Sequence, residues 1–147
     1  MKKVFISGSL RNPKIPQLGV DIRDLGYEVF DDWFGCGPEA DDNWQKYEHT
    51  RGRTYEEALD GQAAHNIFDL DFRNICTSDI SILILPAGKS GHLELGFALG
   101  MGKKGYIFFP DGEPDRWDVM YLFATDVFFE REDLMKRLKG DLFDGNP

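Results

Sequence analysis

"DISILILPAGKSGHLELGFALG", residues Asp79 to Gly100, is the stretch whose reading decides the fold. Asp79–Pro86 is apolar almost throughout, which reads as a strand buried on both faces, as strands of a parallel sheet are. A tight turn follows, and Gly91–Met101 reads as a helix with Ser90 as its N-cap. Gly88-Lys89-Ser90 carries the three letters that close a phosphate-binding P-loop. That motif needs a second glycine five positions before the one flanking the lysine, so that backbone amides can wrap the phosphates. The position is Leu83, inside the strand, and the P-loop reading fails on spacing. What remains is a strand, a turn and a helix with a carboxylate, Glu94, in its first turns.

Working outward, Lys3–Ser7 reads as a short strand running into Gly8, Ser9 and Arg11. Ile15, Leu18, Ile22 and Leu25 recur at helical spacing and stop at Gly26, a good C-cap. Tyr27–Phe30 reads as a second strand. Asp31 to Thr50 is rich in Asp, Gly, Pro and Trp and reads as a long loop, of the kind usually functional or mobile. Tyr55–Ile75 reads as one helix with Leu59, Ala63, Ile67 and Leu70 on one face. Lys103 and Lys104 suit a helix C-terminus, Gly105–Phe109 reads as a strand, and Trp117–Phe123 as a short helix. A strand over Asp126–Phe129 and a helix over Arg131–Lys139 close the chain.

This alternation predicts a three-layer α/β sandwich with a five-stranded parallel, flavodoxin-like (Rossmann-like) sheet, in a single domain over 1–147. In such sheets ligands bind beyond the carboxyl ends of the strands, where the winding reverses. For a 2-1-3-4-5 order that point lies between the first and third strands. The loops Ser7–Asn12 and Pro86–Gly91 are therefore expected to converge.

With 147 residues, 41% of them hydrophobic, the chain is long enough to bury a core without staples. Its net charge of −9 argues against a nucleic-acid polymer as partner but leaves room for a small anion in a local pocket. The two cysteines, Cys36 and Cys76, have no metal-ligand spacing, so neither zinc nor a disulfide framework is expected and a reducing compartment is the default. "MKKVFISGS" has too few apolar residues for a signal peptide or membrane span, and a cytoplasmic location is expected. The pattern contains no cofactor motif, so none is expected.

Glu94 lies where unsatisfied helix amides favour an ionised carboxylate, by only about 0.3–1 kcal/mol. Placement matters more than the dipole. A carboxylate facing the crevice from a strand-turn-helix corner can attack a sugar carbon as a nucleophile; the alternative is a solvent-facing glutamate of the first turn.

The segment from Asp71 to Phe109, with its acid before the strand and its Glu94, Gly96 and Ala98, resembles the core of the nucleoside 2-deoxyribosyltransferase family. The broader resemblance covers residues 1–139. It implies Glu94 as a nucleophile forming a covalent glycosyl-enzyme, and Asp71 as the acid serving the nucleobase. It also implies that Asp118 and Met120 match an Asn-x-Met pair with which a neighbouring subunit completes the site, hence a homo-oligomer, a dimer or higher. Gly96 and Ala98 fit a helix packed closely on the sheet. Three positions depart from the family pattern: Phe5 stands for a tyrosine, Pro86 for an aspartate and Asp118 for the asparagine.

Gly8-Ser9-Leu10-Arg11 is similar to the Gly-Ser-x-Arg turn of the family's nucleoside 5′-monophosphate N-glycosidases. Amides, a hydroxyl and a guanidinium together suit a phosphate, with Ser90 and Gly91 on the other side; a capped turn with a solvated arginine is the other reading. The expected substrate is a nucleoside or nucleotide. Its sugar is transferred between bases or, in the alternative, released to water. A catalytically silent nucleotide sensor is the rival outside enzymes. Trp33, Trp44 and Tyr47 can stack on a base or pin their segment to the core. His92 and Glu94 form the H-x-E of zinc deaminases without its downstream cysteines. His49, His65, Asp41 and Asp42 read as solvated surface, and no metal site is expected.

Overall fold

The computed structural model describes residues 1–144; the end of the single domain expected over 1–147 lies outside the described residues. Its five-stranded parallel sheet has the order β2-β1-β3-β4-β5, formed by Lys3–Ser7 (β1), Glu28–Phe30 (β2), Ile80–Ile84 (β3), Lys104–Phe108 (β4) and Asp126–Phe128 (β5). All five residues of β3 are buried, Ser81 among four apolar neighbours, as a strand covered on both faces requires. Helices Ile15–Leu25 (α1), Ala40–Thr50 (α2), Tyr55–Leu59 (α3), Gln62–Cys76 (α4), Lys89–Gly100 (α5) and Arg131–Leu142 (α6) surround the sheet, making a flavodoxin-like three-layer sandwich.

Strand alternation assigns the two faces. Val4, Ile6, Ile82, Ile84 and Tyr106 meet Ile15, Ile22, Leu134 and Leu138 of α1 and α6. Phe5 meets Ile75 and Ala98, and Leu83 and Ile107 meet Leu95, so α4 and α5 cover the other face. Burying each such side chain contributes roughly 1.5–3 kcal/mol. Gly26 ends α1 in the left-handed conformation, φ 114°, as its position as C-cap predicts. At the amino end of the sheet a buried polar network holds α6: Asp141 accepts from Lys104 at 2.8 Å and from the Tyr106 hydroxyl. Among the described residues no helix is long and apolar enough to cross a membrane.

Several expectations are corrected. Asp31–Thr50 is not a loop but a 3-10 helix, Asp32–Cys36, followed by α2. The apolar period missed α2 because its one fully buried side chain is charged: Glu48, 2% exposed, pairs with Arg51 at 3.1 Å. Trp44 adds an edge-on contact with Tyr55. The helix expected over Tyr55–Ile75 is two, α3 and α4, divided at Gly61, whose backbone is extended at φ −86°, ψ 164°. A Cβ there would lie 2.6 Å from the Arg53 guanidinium and 3.1 Å from the Ala58 carbonyl. The expected stripe does not face the core, since Leu59, Ile67 and Leu70 are all exposed. Helix α5 begins earlier than expected, with Gly88 rather than Ser90 as N-cap. Lys104 opens β4 and pairs with Asp141 and Asp144 instead of closing a helix.

Candidate active site

Because β1 and β3 pair in parallel with Ser7 opposite Leu83, the chain leaves both strands at the same edge of the sheet. Two glycines let the loops meet there. A Cβ on Gly8 would fall 2.9 Å from Ile15 and 3.0 Å from Ile84, and one on Gly91 would fall 2.8 Å from Leu83 and 3.5 Å from the Gly8 nitrogen. The expected convergence of the Ser7–Asn12 and Pro86–Gly91 segments is thus present, with the first turn of α5 seated against Gly8. Gly96 is not part of this packing: nothing lies within 4 Å of a Cβ placed there, whereas Ala98 is fully buried.

Glu94 follows from that seating. Ala98 packs against Phe5, and Glu94 lies one helical turn nearer the strand ends. Ser7 is two residues beyond Phe5 and shares its face of the sheet. Burial in these apolar surroundings, with the nearby charge of Asp71, raises the Glu94 pKa to about 7 against the opposing pull of the Ser7 hydroxyl. Asp71 projects from α4, which packs beside α5 with the Phe72 and Phe97 rings 5.5 Å apart. Burial raises the Asp71 pKa to about 6. Near neutral pH the two carboxyl groups therefore share about one proton, which gives the site one acid and one carboxylate nucleophile or base.

In the neighbouring loop, the Ser9 hydroxyl accepts from the Arg11 amide at 3.1 Å, and the Ser9 carbonyl accepts from the Asn12 amide at 3.0 Å. The exposed Arg11 guanidinium pairs with Asp42 of α2 at 3.4 Å. Ser90 is exposed in the first turn of α5, beside the open amides of its N-terminus. Such an end suits an anion.

Glu94, Asp71, Gly8 and Gly91 are thus brought together, with Ser9 and Arg11 in the adjoining loop and Ser90 in the first turn of α5. Trp33 pins its segment: its indole N–H donates to the Ile6 carbonyl at 2.8 Å and the ring packs on the core, fastening the segment after β2 to β1. Asp118 caps the 3-10 helix Val119–Phe123, accepting from the Met120 amide at 2.8 Å, and Met120 is exposed. Tyr47 lies under the Arg51 guanidinium, and His49 and His65 are exposed.

Two features escaped the sequence reading. Ser7 is one, although its alternation with Phe5 was visible. The other is His92. Its Nδ1 donates to the Gly88 carbonyl at 2.7 Å, which leaves Nε2 to accept from the Tyr121 hydroxyl at 2.9 Å and ties the Val119–Phe123 segment to α5. Among the described residues no group of three or more His, Cys, Asp or Glu is arranged to hold a metal ion.

No protein-family model matches the sequence, and no curated protein matches it significantly. Among solved structures, the chain is similar to the CMP N-glycosidase BcmB of Clostridium botulinum. The TM-score is 0.56 with 16% identity, over 93% of this chain and 98% of that one. At that identity the likeness is one of fold.

Proposed function

We propose that this protein is an enzyme that cleaves the N-glycosidic bond of nucleosides or their 5′-monophosphates. Glu94 is the nucleophile and Asp71 the proton donor. The observation that carries this reading is the pair itself: two largely desolvated carboxyl groups, electrostatically coupled, at the ligand edge of the sheet. In the first step a Glu94 oxygen bonds to C1′ of the sugar. The C1′–N bond breaks, and the departing base takes the proton of Asp71. In the second, the Asp71 carboxylate removes a proton from water, whose oxygen bonds to C1′ and releases the Glu94 carboxylate. Two displacements at one carbon retain its configuration.

The Gly8–Arg11 turn and the N-terminus of α5 favour a substrate carrying a 5′-phosphate, and hydrolysis is consistent with the neighbouring fold being that of a protein named as a CMP N-glycosidase. A second reading, 2-deoxyribosyl transfer to another base, is supported by the resemblance around Glu94, Gly96 and Ala98. It differs only in the acceptor.

The reading includes a homo-oligomer. Phe68 and Phe72 of α4 stack on each other, and Leu93 and Phe97 of α5 and Leu122 and Phe123 of the 3-10 helix are all exposed in the same layer. Gly96 lies open among them, where a second helix can approach closely. Patches of this kind mark association surfaces. In this reading, as the resemblance implies, Asp118 and Met120 of a second copy complete the neighbouring site.

Incubation with deoxynucleosides, ribonucleosides and their 5′-monophosphates, with and without a second free base, tests the reading by chromatography. Free base released chiefly from monophosphates supports hydrolysis. A new nucleoside or nucleotide formed only with the added base supports transfer. No turnover of any of them overturns the enzyme reading in favour of a sensor.

A further inference from the structure

At the end of β1, Ser7 is 1% exposed; its hydroxyl makes no hydrogen bond of full geometry, although it lies near enough to Glu94 to hold that group's pKa down. A buried hydroxyl left unpaired costs about 1–3 kcal/mol, so its neighbours matter. Its position on the strand fixes them. Phe5 packs against Ala98, so Ser7, two residues along the same face, stands at the level of Glu94, one turn earlier in α5. Gly8, the next residue, is in close approach to Gly91. The segment on either side of Ser7 is thereby held against α5, and Ser7 cannot move away from Glu94 independently.

We infer that Ser7 is a positioning residue of this site: its hydroxyl donates to the ionised Glu94 carboxylate and so draws the proton shared by the two carboxyl groups toward Asp71. The inference rests on the proposed roles of Glu94 and Asp71. Bond cleavage needs the proton on Asp71 and the charge on Glu94. Burial and the charge of Asp71 both push the proton the other way, onto Glu94. The Ser7 hydroxyl opposes them, because a donor to the charged form favours that form. The other groups around Glu94 do not substitute for it. Asp71 faces it from α4 with the wrong sign. His92, on α5 itself, is turned to the Gly88 carbonyl and Tyr121. From β1 and β3, Phe5 and Leu83 are apolar, and the buried Ser81 hydroxyl stands opposite Phe5, two residues farther from the strand ends than Ser7 and Leu83. Once the sugar is attached, the same hydroxyl faces the ester oxygens and receives the carboxylate that the second displacement releases.

The test is a carbon-13 titration of glutamate carboxyls in the full chain, the Glu94 signal being identified by its loss in Glu94→Gln. In Ser7→Ala the Glu94 midpoint should rise by about 0.5–1 pH unit, the range of one lost donor. Ser7→Cys, which keeps a weak donor and nearly the same volume, should rise less and guards against misfolding of the alanine variant. In turnover assays kcat/KM should be roughly 3–10-fold lower than wild type at every pH below the Glu94 midpoint and should rejoin the wild type above it, where Glu94 is ionised in both. An unchanged midpoint in both folded variants overturns the role of Ser7. Because the titration needs no substrate, it separates that outcome from failure of the proposed activity, in which the wild type turns over nothing.

Discussion

The Asp71 carboxyl on α4 lies close enough to Glu94 on α5 for its charge, added to burial, to lift the Glu94 pKa to about 7. The glycosyl transfer to Glu94 proposed above needs that group ionised and Asp71 protonated. The pH profile of kcat/KM should therefore be bell-shaped, with its optimum between the two values of about 6 and about 7. Glu94→Gln should lower kcat by about 1,000-fold or more while leaving substrate binding within a few-fold. Asp71→Asn should lose about 100-fold or more with natural bases, the usual range for a positioned acid, and less with better leaving groups. Equal losses for good and poor leaving groups would remove the acid role from Asp71.

The same pair makes stability depend on pH. Both native pKa values are raised, from 3.8 to about 6 for Asp71 and from 4.5 to about 7 for Glu94. Between about pH 4 and 7 the native state keeps protons that the unfolded chain has released, so stability falls as pH rises through that window. The penalty is absent below it and complete above it. Glu94→Gln removes the larger part and should melt on the order of 5 °C above wild type at pH 8, with little difference at pH 4. A pH-independent difference in Tm would contradict the assigned burial of the charge.

Arg11 offers a direct test of phosphate recognition. Charge-assisted hydrogen bonds contribute about 1.5–3 kcal/mol, so Arg11→Ala should raise KM for a nucleoside monophosphate by about 10-fold or more and leave the free nucleoside unchanged. Asp42→Asn releases Arg11 from an exposed pair and should improve monophosphate binding by no more than about 3-fold. Equal effects of Arg11→Ala on nucleoside and monophosphate would indicate that Arg11 only shapes its turn.

Self-association should be broken by charge placed on the exposed layer. The double substitution Leu93→Arg and Phe97→Arg touches two exposed side chains of α5 and leaves the core intact. Sedimentation should show an oligomer for wild type and a monomer for the variant, with melting temperature lowered by mass action alone. A monomeric wild type at micromolar concentration would refute the expectation.

What was legible in the sequence followed from apolar period. The run Ile80–Ile84, apolar but for Ser81, the stop at Gly26 and the strand-helix alternation carried the sheet and its order, and the order carried the meeting of the two loops at its edge. Helix α2 was illegible because it buries Glu48 against arginines rather than an apolar stripe. The break at Gly61 was missed because the apolar period runs through it, and because the stripe on α4 follows helical spacing without facing the core. At the site, Glu94 and Asp71 were named through resemblance, since spacing alone leaves a first-turn glutamate ambiguous. Ser7 stayed hidden because its significance depends on a partner eighty-seven positions away, brought near by the seating of α5.

The most direct test of the account is a covalent one. A deoxynucleoside monophosphate with fluorine at C2′, which slows release of the sugar by destabilising positive charge at C1′, is incubated with the protein and quenched in acid. Peptide mass mapping should find one sugar phosphate attached to the peptide containing Glu94, absent from Glu94→Gln. Release of free base by an enzyme that carries no adduct, or an adduct that persists in Glu94→Gln, would contradict Glu94 as the nucleophile.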